Sequence, residues 1–175
     1  EEAYSAYDVG IAQPFDLDIA GTMSSVEAVI GGWNGYAGPE GITGYQINFY
    51  GSDAAVCSDL VGDLSFQEGP GSISDTWAGE GSLIAFATSV SLDAGSYFVS
   101  VIGYNEFASN GQCGVHQSLR SGSVALQSNP NGGFSFECDD PDTPGAYRIT
   151  GAIGSINCVC SSLYEVGDRV HAVVD

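Results

Sequence analysis

Apolar and polar residues alternate at a period of two along most of this chain. Glycine-rich turn signals cut the alternating runs about every 8–12 residues. That pattern constrains the fold more than any other feature. A helix core needs apolar residues every three to four positions, and no stretch sustains that spacing beyond a turn or two. Alternating runs joined by tight turns give half-buried strands that close into a sandwich or barrel. The 25 glycines supply the turns, and 43 % hydrophobic residues with 11 % aromatics supply a core.

The strongest strand signal is 96–104, where Tyr97, Val99 and Val101 alternate with Phe98, Ser100 and Ile102. In 42–50 the core face is expected to hold Thr43, Tyr45, Ile47 and Phe49, with Ile42, Gly44, Gln46, Asn48 and Tyr50 opposite. Further strands are expected at 26–30, closed by Gly31-Gly32, and at 82–92, 117–127 and 146–151. The reading is an all-β antiparallel sandwich over 10–157, with an extended N-terminal arm at 1–9 and a C-terminal extension strand at 158–175. No run of about 18 apolar residues is present, so no membrane-spanning helix is expected.

Charge narrows the partners. Asp and Glu number 22 against three arginines, Arg120, Arg148 and Arg169, and no lysine, for a net charge of −19. Such a chain repels nucleic acid and anionic membrane faces. It also has no lysine for a Schiff base or a phosphate cradle. Cations, neutral polymers and other protein surfaces, including copies of itself, are the partners left.

Five cysteines, Cys57, Cys113, Cys138, Cys158 and Cys160, fit an oxidising compartment. Glu1-Glu2-Ala3-Tyr4 reads as a mature N-terminus after removal of a signal peptide, which implies an extracellular or cell-surface protein. The expected pairing joins Cys113 to Cys138, and Cys57 to Cys158 or Cys160. Spacing alone leaves other arrangements open.

The order Phe15-Asp16-Leu17, then 26–33, then 42–50, then Leu92-Asp93-Ala94-Gly95-Ser96-Tyr97-Phe98-Val99-Ser100 resembles a jelly-roll module of secreted bacterial proteins. Tyr147-Arg148-Ile149-Thr150-Gly151 matches that module's last strand. The resemblance covers roughly residues 10–151 and is similar to carbohydrate-binding and pre-peptidase C-terminal domains. It implies an accessory or surface module without a shared catalytic set. Val166-Gly167-Asp168-Arg169-Val170 resembles the first strand of a small SH3-like barrel, leaving 169–174 as a strand without its own sheet.

Catalytic patterns are sparse. Cys113 and His116 lie close in sequence, but a cysteine in an oxidised protein is better read as a disulfide partner. Neither a Gly-x-Ser-x-Gly elbow nor a His-Glu-x-x-His motif occurs, and the Cys158-Val-Cys160 spacing is short for structural zinc. Calcium is the candidate cofactor, with Asp139, Asp140 and Asp142 in one turn as its hard oxygen ligands. Trp33, Tyr36 and Trp77 are the aromatics placed to stack on sugar rings, Trp33-Asn34-Gly35-Tyr36 foremost.

The expectation is therefore a non-enzymatic structural subunit that assembles into a filament or surface layer by strand exchange. Tyr4, Tyr7, Tyr164, Val166, Val170 and Val173 of its terminal segments would be the assembly residues. The alternative is a carbohydrate-binding or adhesive module of a larger secreted protein.

Overall fold

The computed structural model describes residues 6–69, 71–77, 81–134, 138–139, 142–153 and 161–164, with the side chains of 65–68, 75–77 and 161–164 left out of that description. The chain forms the expected all-β antiparallel sandwich. One sheet holds β1 (Gly10–Leu17), β3 (Ile42–Tyr50), β4 (Leu64–Glu68), β7 (Gly95–Asn105), β9 (Leu126–Ser128) and β10 (Cys138–Asp139), in the order β10-β9-β1-β7-β3-β4. The other holds β2 (Gly21–Trp33), β5 (Ser72–Trp77), β6 (Gly81–Leu92), β11 (Tyr147–Ile153) and β12 (Ser161–Tyr164), in the order β12-β11-β2-β6-β5. β8 (Gln112–Val115) pairs with the end of β2. β1 pairs with β7 in one sheet and β2 with β6 in the other, the nested order of a hairpin rolled over itself. Among the described residues helix is limited to two short α pieces, α1 (Asp53–Ser58) and α2 (Phe107–Asn110), and 3-10 turns at 6–7 and Pro39–Gly41. Among the described residues no helix is long and apolar enough to cross a membrane.

Between the sheets lies one core. β7 sends Val99 and Val101 into it, as its alternation predicts, and β6 sends Ile84, Phe86, Val90 and Leu92. β3 departs from strict alternation. A bulge between Ile42 and Gly44 shifts the register, so Ile42, 3 % exposed, joins Tyr45, Ile47 and Phe49 in the core. Thr43 turns outward instead, its hydroxyl donating to the Tyr104 carbonyl at 3.1 Å. A second bulge, between Met23 and Ser25, puts Met23 and Val26 on one face of β2.

β2 starts at Gly21, before the expected Val26, and includes the Gly31-Gly32 pair, ending one residue later at Trp33. A Cβ on Gly32 would lie 2.0 Å from the Gln112 carbonyl oxygen and 2.5 Å from the Tyr36 ring. The glycine is there for close approach inside a strand, not for a turn. Of the strand expected over 117–127 only the end forms, Leu126 and Gln127 of β9. That stretch carries the chain from one sheet to the other, with an isolated bridge between Gln117 and Gly145. Its main chain is anchored in part by buried Gln13, which donates to the Ser123 carbonyl at 2.8 Å and accepts from the Gly145 N–H at 2.7 Å.

The outer face of the β1-containing sheet is also covered. Residues 51–63 fold over it, and Val56 of α1 packs beside Ala12 and Tyr50. Beneath them Gln46 donates to Asn48 at 2.8 Å, Asn48 to Ser100 at 3.2 Å, and Tyr50 to the Leu60 carbonyl at 3.0 Å. A Cys57–Cys138 disulfide ties α1 to β10. This corrects the expected Cys113–Cys138 pairing. β8 turns Cys113 inward toward the core at the opposite sheet, where its thiol lies 3.7 Å from the Gly103 carbonyl oxygen and stays free. Cys158 and Cys160 lie outside the described residues.

The described part of the N-terminal arm lies back on its own chain. Asn129 donates to the Ala6 and Asp8 carbonyls at 2.9 and 2.8 Å, and Tyr7 meets Phe134 edge to face at 5.4 Å.

Candidate functional site

Among the described residues β8 pairs with β2 alone and is an edge strand, and a groove of about 290 Å³ runs beside it. It is lined by Trp33, Gly114, Val115 and His116, by Gln127, and by the 143–145 segment.

A tight turn fixes Trp33. The Tyr36 N–H donates to the Trp33 carbonyl at 3.2 Å, and Asn34 and Gly35 take φ values of 51° and 94°. The Asn34 amide donates to the side chain of Gln112, which pairs with Trp33 across the strands. The indole is 55 % exposed and lies across β8, because a Cβ on Gly114 would come within 3.2 Å of it. Gly114 therefore admits a flat aromatic platform over the strand.

The hydrogen-bond phase of β8 determines what its free edge offers. The His116 N–H donates to the Val29 carbonyl at 2.9 Å, and the register pairs Gly31 with Gly114. Alternate residues therefore bond to β2, which turns the main-chain N–H and C=O of Cys113 and Val115 toward the open side. No described group bonds to those of Val115, which lines the groove. Gln117 and Gln127, residues with uncharged carboxamide side chains, also line it. None of the lining residues is acidic, in a chain with 22 carboxylates.

Of the two proposed stacking aromatics whose side chains are described, Trp33 is placed for it and Tyr36 is not. Tyr36 turns inward onto Gly32, its hydroxyl buried and without a hydrogen-bond partner. Burial pushes that hydroxyl up to about 12, helped by nearby Cys113 and Glu40. Trp77 closes β5, and its side chain is outside the description. Cys113 and His116 sit on opposite faces of β8: the thiol points to the core, and the imidazole rests against Gly81. Burial raises the Cys113 thiol to about 11, so it is protonated at neutral pH and no dyad forms.

Asp139 is exposed in β10, Asp142 occupies a left-handed turn position with φ 59°, and Asp140 lies outside the described residues. Among the described residues no three His, Cys, Asp or Glu side chains converge on a cation position. Of the proposed assembly residues, Tyr7 packs on Phe134, and Tyr164 pairs with Ile149 through β12. Tyr4, Val166, Val170 and Val173 lie outside the described residues.

Sequence reasoning missed the Val115 edge and Gln127. Edge groups of the main chain carry no residue signature, although a glycine inside a strand, such as Gly114, signals a close approach. The arrangement brings together a fixed aromatic plane, a peptide edge and two glutamines around a groove with no acidic lining residue. Comparison with protein-family models, curated proteins and solved structures finds no match to this chain.

Proposed function

We propose that this chain is a carbohydrate-binding module of an extracellular protein, taking a neutral polysaccharide in the groove beside β8. The observation that carries the reading is Trp33. It is an exposed indole held by a tight turn and laid over Gly114 at the rim of a groove with no acidic lining residue. A sugar ring presents a face of C–H groups and a rim of hydroxyls. The indole plane suits the first, and the Val115 edge with Gln117 and Gln127 suits the second. The net charge of −19 disfavours anionic polymers, and the Cys57–Cys138 bond fits an oxidising compartment.

Affinity electrophoresis through gels containing neutral polysaccharides tests the reading. Retardation is expected for the native chain. Trp33→Ala should lose about 2 kcal/mol, roughly thirty-fold, as for a central aromatic contact. Retardation unaffected by Trp33→Ala, or none in any neutral polymer, would refute it.

Strand exchange between copies draws on one observation, the free edge of β8, which could receive an extended segment. Residues 6–9 and β12, however, are engaged by their own domain, which leaves fewer terminal groups for exchange. Regular filaments in negative-stain electron microscopy would favour this second reading.

A further inference from the structure

We propose that the groove selects chains of N-acetylated hexosamine, of the chitin type, over unsubstituted glucans; the inference rests on the carbohydrate reading above. The argument starts from what is left unpaired. A sugar hydroxyl both donates and accepts and rotates freely, so almost any polar wall satisfies it. An acetamido group is more demanding. It is a planar trans amide whose C=O and N–H point in opposite directions, so it needs a donor on one side and an acceptor on the other.

The lining of the groove holds a candidate for each. On the β8 side the Val115 main-chain N–H points away from β2 and has no described partner. Gln127 approaches from the other sheet, where its main chain pairs with Ile11 of β1, and it is one of the residues that line the groove. The acetamido C=O accepts from Val115 and its N–H donates to Gln127, as a peptide unit does between two strands. Trp33 covers the pyranose ring and the acetyl methyl, both apolar surfaces. Nothing on these walls is acidic, so no charge opposes an uncharged chain.

A matched amide adds about one net hydrogen bond over a hydroxyl in the same place, which corresponds to roughly ten-fold in affinity. Two-dimensional NMR titration of the full ¹⁵N-labelled chain, with fully acetylated chitotriose and with cellotriose in parallel, reads this directly. The expected result is chitotriose binding about ten-fold tighter, with the Val115 amide resonance moved by chitotriose alone. Gln127→Met, of similar length, should bring chitotriose down to the level of cellotriose. Trp33→Ala should remove both. Equal binding of the two trisaccharides, tighter binding of cellotriose, or a preference unchanged by Gln127→Met overturns the acetamido inference while leaving the carbohydrate reading intact. Binding of neither, nor of any neutral polysaccharide in the gels, overturns both.

Discussion

Tyr147 is the residue whose removal should reveal most about how the two sheets are held. It begins β11 in one sheet, and its hydroxyl reaches the other, donating to the Ile11 carbonyl of β1 at 2.7 Å and accepting from the Val101 N–H of β7 at 3.2 Å. The side chain is buried in the core. Tyr147→Phe keeps the ring and its packing, so no cavity opens, and deletes only the oxygen. Two main-chain groups then lose a partner in a place water does not reach, at about 1–3 kcal/mol each when nothing replaces it. Allowing for partial relaxation, the expected loss is about 2–4 kcal/mol. For a chain of this length that lowers Tm by about 5–15 °C. Urea unfolding followed by circular dichroism, with wild type and variant side by side, measures it. The midpoint should fall while the slope is unchanged, since the surface exposed on unfolding is the same. A loss under about 1 kcal/mol would refute the reasoning, because Ile11 and Val101 would then be satisfied without the hydroxyl.

Two further predictions follow from groups seen here. Removing the disulfide by Cys57→Ser and Cys138→Ser frees a loop of 81 residues in the unfolded chain, worth about 4.5 kcal/mol by loop-closure entropy. Tm should drop by about 9–18 °C, whereas a fall below about 3 °C would contradict a stabilising role for this bond. Alkaline pH should also destabilise the fold. Burial raises Cys113 above its ordinary value of 9.0, and raises Tyr36, Tyr45, Tyr50 and Tyr147 above 10.0. The unfolded chain therefore releases these protons first. Their contribution is intact below about pH 9 and is lost progressively above it. Unfolding midpoints between pH 7 and 11 test this, with Cys113→Ser expected to delay the onset; a flat profile to pH 11 would rule it out.

Much of the architecture was legible in local pattern. The alternation of β7 predicts its buried and outer residues because a strand's two faces are fixed by the pleat alone. The absence of helical spacing, the glycine-cut runs and the core face of Tyr45, Ile47 and Phe49 need no knowledge of neighbours either. Trp33 could be named as a candidate because an aromatic in a glycine-rich turn has few ways to be fully covered.

Other features depended on what each residue meets across the fold. The bulge that turns Ile42 inward is set by registry with β7, and Gly32 continues a strand because Tyr36 and Gln112 close on it. Cys138 pairs with Cys57 because the cover over the outer face brings α1 beside β10; sequence distance carries no trace of that. Tyr36 and Trp33, three residues apart in one turn, end on opposite sides of β2, one in the core and one in water. The edge of β8 exists because its neighbours leave one side of it open. Sequence by itself thus determined the all-β class, most of the core face of β3 and the charge that limits partners, since these are local or additive properties of the residues. Only the tertiary structure decided the disulfide, the buried tyrosines and the groove, since each is made by groups distant in the chain that packing brings to one place.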